Sequence, residues 1–262
     1  MNRIDERFAK VNADGRKALI TFLTVGDPNM EVSEKAIYTM QEEGVDLVEL
    51  GVPFSDPAAD GPVIQRADER ALAQGVDIFK VFELVRKIRN NVEVPMVFLL
   101  YYNVMVQYGI EKFFKRCQET GVDGLIIPDL PYEESDEIKE YTEKYGVYQI
   151  SLVSPTSKDR IKNIAKDAKG FLYCISSLGV TGEKSSFVTN FDEFVGTIKK
   201  YTDVPACVGF GVSNGKQVKE LTKYFDGAIV GSAIVKSIAT GESVEERINN
   251  LREKIKDLKS GL

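Results

Sequence analysis

Gly44-Val-Asp-Leu-Val-Glu-Leu50 returns as Gly121-Val-Asp-Gly-Leu-Ile-Ile127 and, more loosely, as Phe225-Asp-Gly-Ala-Ile-Val-Gly231. In each copy a glycine or turn ends a helical pattern and a buried apolar run follows. A second echo pairs Val94-Pro-Met-Val-Phe-Leu-Leu100 with Val204-Pro-Ala-Cys-Val-Gly-Phe210, where proline is tolerated because it opens the strand. Working outward, the chain repeats a unit of about 30 residues made of apolar strand, loop and amphipathic helix. Strands are predicted near 18–24, 46–50, 95–100, 123–127, 147–152, 170–175, 205–209 and 227–231. These runs are near-continuously apolar, as parallel strands covered on both faces are.

The helices between them carry start signals. Asp77 precedes the face Ile78, Val81, Phe82, Val85 and Ile88. Asn190 with Glu193, and Ser243 with Glu246, form capping-box patterns. No linker, low-complexity tract or composition shift divides the chain. The expected architecture is α/β: one (β/α)8 TIM barrel domain spanning 1–262, with an extra N-terminal helix and a short extra helix after strand eight.

Composition bounds the function. The 262 residues are 43% apolar and 28% charged, enough for a full core, and the net charge of −6 argues against nucleic-acid binding. No apolar run is long enough to span a membrane, and the amphipathic start Met1–Phe8 lacks a signal-peptide apolar region, so a cytoplasmic location is expected. The chain has no histidine, which removes Ser-His-Asp and Cys-His nucleophile schemes and His-containing metal sites. Cys117, Cys174 and Cys207 are far apart in apolar settings and read as buried thiols. Acid–base work therefore falls to carboxylates, tyrosines or lysines.

In a barrel of this kind the chemistry sits where loops leave the carboxyl ends of the strands. Glu49 stands there, a carboxylate among Leu47, Val48 and Leu50. An acid in an apolar strand end is either paired or used, unless the strand is half-exposed and the acid faces out. The loop that follows holds Pro53, Pro57, Gly61 and Pro62 and a second pair of carboxylates, Asp56 and Asp60. Asp60-Gly61 alone is an ordinary turn dipeptide. Phe22, Leu100, Tyr102 and Tyr173 also lie at or near strand ends and are candidate walls of an aromatic pocket; the alternative for each is plain barrel packing.

The last two strands end in Gly209-Phe-Gly-Val-Ser-Asn-Gly215 and Gly227-Ala-Ile-Val-Gly-Ser-Ala233. Such glycines let backbone N–H groups approach an anion, and the segment 232–239 would aim a helix N-terminus at it, which is the recurrent phosphate site of this fold. The loop Ser176–Phe187 is long, small and polar and reads as a lid, with Gly179 and Gly182 as candidate hinges.

The stretch Leu47-Val-Glu-Leu-Gly-Val-Pro-Phe-Ser-Asp-Pro-Ala-Ala-Asp-Gly-Pro-Val-Ile-Gln65 closely resembles the signature of the tryptophan synthase alpha subunit family. Phe22–Pro28, Tyr101-Tyr-Asn103, Pro128-Asp-Leu-Pro131, Gly179–Gly182, Gly209–Ser213 and Gly231-Ser-Ala233 resemble its other blocks, in order, over nearly the whole chain. The resemblance implies retro-aldol cleavage of indole-3-glycerol phosphate to indole and glyceraldehyde 3-phosphate, with no metal. It implies Glu49 as the proton shuttle and Asp60 as the acceptor of the indole N–H. Phe22, Leu100 and Ile126 then match indole-pocket walls, as do Tyr102, Pro128 and Tyr173. Thr181 matches a threonine that closes on Asp60, and Gly182, Phe210, Gly211, Gly231 and Ser232 match the phosphate cradle. Departures from the family pattern are Pro128, where a smaller residue is expected, Tyr132, and Ser177 in the lid.

The resemblance further implies a beta-subunit partner in an alpha–beta–beta–alpha complex, touching the 53–60 loop and the stretch 103–109. Pyridoxal phosphate is expected in that partner and no cofactor in this chain. Two other readings stay open at this level. One is another phosphate-binding barrel enzyme of tryptophan biosynthesis, such as a phosphoribosylanthranilate isomerase or an indoleglycerol phosphate synthase. The other is a non-catalytic subunit that only activates a partner.

Overall fold

The structure, a computed structural model, describes residues 2–175, 190–209 and 211–262. Its strands are β1 (Ala18–Thr24), β2 (Leu47–Gly51), β3 (Met96–Leu99), β4 (Gly124–Ile126), β5 (Tyr148–Gln149), β6 (Ser151–Val153), β7 (Leu172–Ile175), β8 (Ala206–Gly209) and β9 (Gly227–Val230). All pair in parallel in the order β5-β4-β3-β2-β1-β9-β8-β7-β6. The two ends of that order are neighbours in the chain, separated by Ile150 alone, so the sheet closes into a barrel. The sequence predicts one strand over 147–152; the structure divides it because its first half pairs with β4 and its second with β7.

The strand runs are continuously apolar because each face meets its own core. Ala18, Ile20, Leu47, Val97, Ile126, Ile150, Tyr173, Cys207 and Ile229 fill the barrel. Leu19, Leu23, Val48, Leu50, Phe98, Leu100 and Leu125 face the helices that wrap it. The predicted N-terminal helix spans Arg3–Ala13 and closes the bottom of the barrel with Ile4, Phe8 and Val11, Phe8 packing on Phe171 at 5.7 Å between centroids. Asp77, Asn190 and Ser243 each cap the helix they were read to start. The three cysteines are free and buried.

The echoed aspartates have a shared structural task. Asp46 accepts the backbone N–H of Leu19 at 3.0 Å, Asp123 that of Met96 at 2.9 Å, and Asp226 that of Ala206 at 2.8 Å. Each also donates its own backbone N–H to the carbonyl of that same residue. One aspartate at a helix-to-strand junction thus sets the register of its strand against a neighbouring strand. Basic partners offset the burial of Asp46 (Arg16, 2.8 Å) and Asp123 (Arg3, 2.7 Å), and the half-buried Asp226 pairs with Lys199 at 2.7 Å.

Candidate active site

Glu49 points inward from β2, in register with Phe22 of β1 and Val97 of β3. It is 1% exposed, and among the described residues its Oε1 has no hydrogen-bond partner. An unpaired carboxylate is costly in apolar surroundings, so burial pushes its pKa up to about 8. Glu49 therefore carries a proton at neutral pH and is poised as an acid.

Asp60 reaches the same space from the loop after β2. Asp60 N–H donates to Pro57 O at 3.0 Å, closing a tight turn, and Gly61 then caps the helix Pro62–Ala73, which begins with its proline. The Tyr101 hydroxyl donates to Asp60 Oδ2 at 2.7 Å, and the Tyr101 ring stacks on Phe54 at 5.1 Å. Burial raises the Asp60 pKa, and the Tyr101 hydrogen bond works in the opposite direction by favouring the anion.

Both acids line a cavity of about 760 Å³ at the carboxyl ends of the strands. Phe22, Ile126, Leu152, Tyr173 and Ile229 form its apolar part, with Leu99 and Pro128. Two glycines make room for the aromatic walls. A Cβ on Gly51 would stand 2.5 Å from the Phe22 ring, and one on Gly209 would stand 2.6 Å from the Tyr173 hydroxyl.

Two candidates are displaced by one residue. Leu100 packs in the outer core under the helices, and its neighbour Leu99 lines the cavity instead. Tyr102 lies outside the lining; its hydroxyl donates to Glu137 at 2.5 Å on the surface, whereas Tyr101 meets Asp60. Side chains alternate across a sheet, so a one-residue shift carries a side chain from the outer layer to the barrel mouth.

The other end of the cavity is polar. Gly211, with φ of +82°, Gly231 and Ser232 line it, and Ser232 is the first residue of the helix Ser232–Ala239. The first N–H groups of a helix have no partner within it, which suits an anion. Thr181, Gly182, Phe210 and the whole stretch 176–187 lie outside the described residues. Ser213, Asn214, Lys236 and Lys254 also line this end and were not singled out in the sequence. Lys236 had a readable signal, standing four residues after Ser232 on the same helix face. Among the described residues no group of His, Cys, Asp or Glu side chains is arranged to hold a metal ion, and no helix is long and apolar enough to cross a membrane.

A third carboxyl was also missed. Asp68, on the helix Pro62–Ala73, is 4% exposed and accepts the Thr24 hydroxyl at 3.3 Å. Nearby Asp27 is held by Arg70 through two hydrogen bonds of 2.6 and 2.9 Å.

Comparison with known proteins points one way. The family model described as tryptophan synthase alpha chain matches residues 8–262. The tryptophan synthase alpha chain of Thermoanaerobacter sp. (strain X514) is 47% identical over 262 residues, covering 100% of both chains. A chain in the structure of Mycobacterium tuberculosis tryptophan synthase superposes with a TM-score of 0.90 at 34% identity, over 99% of this chain and 98% of that one. Tryptophan synthase subunit alpha from Legionella pneumophila gives 0.84 at 34% identity, over 98% and 99%.

Proposed function

The chain belongs to the tryptophan synthase alpha chain family and is a carbon–carbon lyase that cleaves indole-3-glycerol phosphate to indole and glyceraldehyde 3-phosphate; we propose that Glu49 and Asp60 carry the chemistry. The observation behind that proposal is a buried carboxyl whose Oε1 has no hydrogen-bond partner among the described residues, lining the same cavity as a second carboxyl held by a tyrosine.

The indole ring occupies the apolar part of the cavity, among Phe22, Leu99, Ile126 and Tyr173. The phosphate sits at the polar end, on the N–H groups around Gly211, Gly231 and Ser232. Glu49 gives its proton to indole C3, which becomes tetrahedral while positive charge spreads to the ring nitrogen. Asp60 accepts the ring N–H and stabilises that charge. The Glu49 carboxylate then takes the proton of the hydroxyl on the adjoining glycerol carbon. As the carbonyl forms, the C–C bond breaks and its electron pair restores the indole double bond. Glu49 ends protonated, as it began, so the step needs no net proton, oxidant or reductant.

We further propose that the indole passes to a beta subunit carrying pyridoxal phosphate, in an alpha–beta–beta–alpha assembly in the cytoplasm. The docking face includes the 53–60 loop and the stretch 103–109. Val106 there is 47% exposed, and the neighbouring Phe79, 60% exposed, packs on Tyr108. The deciding experiment is release of indole from indole-3-glycerol phosphate by purified protein, with and without beta subunit. Slow release alone and faster release with partner is the expected result. No release under either condition would leave only an activating, non-catalytic role.

A further inference from the structure

Asp68 has no role in the chemistry above, yet it is a buried acid at the barrel mouth. Its surroundings are specific. Thr24, the last residue of β1, donates its hydroxyl to Oδ1 at 3.3 Å, and Phe54, in the loop after β2, offers a backbone N–H. The charged groups facing it are Asp60 from the same loop and Asp27 from the turn after β1, the latter already neutralised by Arg70. Burial, then the proximity of Asp60, push the Asp68 pKa up to about 8. Near neutral pH it is thus uncharged, and its carbonyl oxygen can accept hydrogen bonds beside Asp60 without repelling it.

From Asp68 a chain of contacts runs to Asp60. Phe54, whose backbone N–H faces the Asp68 carboxyl, stacks its ring on Tyr101 at 5.1 Å. Tyr101 in turn donates to Asp60 Oδ2 and accepts the Ala59 N–H, at 2.7 and 3.0 Å. We propose that Asp68 is a positioning residue for the Asp60 loop: it ties Phe54 to the end of β1, so that Tyr101 presents the Asp60 carboxylate to the substrate's ring nitrogen. This rests on Asp60 having the role given above. Since the charge on that nitrogen appears only as C3 takes its proton, misplacing Asp60 slows turnover more than it weakens substrate binding.

The test measures kcat, KM and Tm for Asp68→Leu and Asp68→Asn, with Asp60→Ala as control. Asp68→Leu keeps the bulk but removes the acceptor, and kcat should fall by about threefold to tenfold, the scale of one uncharged hydrogen bond, with KM changed far less. Asp68→Asn keeps an acceptor oxygen and should retain several-fold more turnover than Asp68→Leu. A merely structural role would lower Tm and leave the turnover of the folded fraction alone. Wild-type kcat in Asp68→Leu, or an equal fall in Asp68→Asn, overturns the inference. If Asp68→Leu does not fold, Thr24→Val removes the hydroxyl from the same anchor, and wild-type kcat there overturns it equally. Should Asp60→Ala itself turn over normally, the fault lies in the role given to Asp60 and not in the anchor.

Discussion

The Tyr101 hydroxyl stands between two parts of one loop, donating to Asp60 Oδ2 at 2.7 Å while accepting the Ala59 N–H at 3.0 Å. One side chain from the end of β3 therefore fixes both the carboxylate and the turn that carries it. A hydrogen bond to a charged group contributes about 1.5–3 kcal/mol, so Tyr101→Phe should lower kcat by about tenfold to a hundredfold. Tyr102→Phe removes only an exposed contact to Glu137 and should stay close to wild type. Steady-state rates of the two variants check this, and equal losses would show that the wrong tyrosine has been assigned to Asp60.

Glu49→Gln should reduce turnover by at least about 10²-fold, the usual contribution of a positioned acid–base group. In wild type the rate should fall as pH rises through about 8, because the protonated form of Glu49 starts the reaction. A pH–rate profile that is flat through that range would remove Glu49 as the initial acid.

The same residue makes a stability prediction of definite sign. The folded-state pKa, about 8, lies above the ordinary value of 4.5, so between those limits folded Glu49 keeps a proton that the unfolded chain releases. Stability from this group is fully present below the lower value and is lost as pH rises, by about 1.4 kcal/mol per pH unit within the window. Glutamine does not titrate. Urea denaturation at several pH values should show Glu49→Gln gaining on wild type through the window and then holding a constant lead. A difference that does not vary with pH would mean that Glu49 is not buried uncharged.

Ser232→Asp separates phosphate binding from folding. An acidic residue in the first turn of the helix Ser232–Ala239 suits the helix dipole, so Tm should hold or rise slightly. The same charge repels a phosphate dianion, so KM should rise steeply and glycerol phosphate should lose its protection against heat. Equal protection of variant and wild type would place the phosphate elsewhere.

Gly51→Ala tests the fit of the aromatic wall. Its Cβ would lie 2.5 Å from the Phe22 ring and 3.3 Å from the Leu23 carbonyl oxygen, and overpacking of this kind costs about 1–3 kcal/mol. Adding Phe22→Leu should recover part of that loss. A thermal-denaturation cycle measures the coupling, and strict additivity would show that the ring is free to move away.

Near-continuous apolar runs alternating with helical patterns sufficed to place the strands and to mark them as parallel, because parallel strands covered on both faces have no polar side. Glu49 stood out as a candidate for a related reason: a carboxylate in such a run has no water on either side, and the structure buries it. What those runs conceal is which face each residue takes. When both faces are apolar, hydrophobicity does not distinguish Leu99 from Leu100, and Tyr101 beside Tyr102 poses the same ambiguity. Only the pairing of β3 with β2 and β4, which sets the pleat, sends Leu99 to the cavity and Leu100 to the helices. Asp68 was hidden differently. In sequence it is an acid on an amphipathic helix, Pro62–Ala73, where solvent is the ordinary expectation. Its burial arises because the helix packs against the end of β1 and the loop after β2 folds over it, contacts between segments about 14 to 44 residues apart that no local pattern encodes.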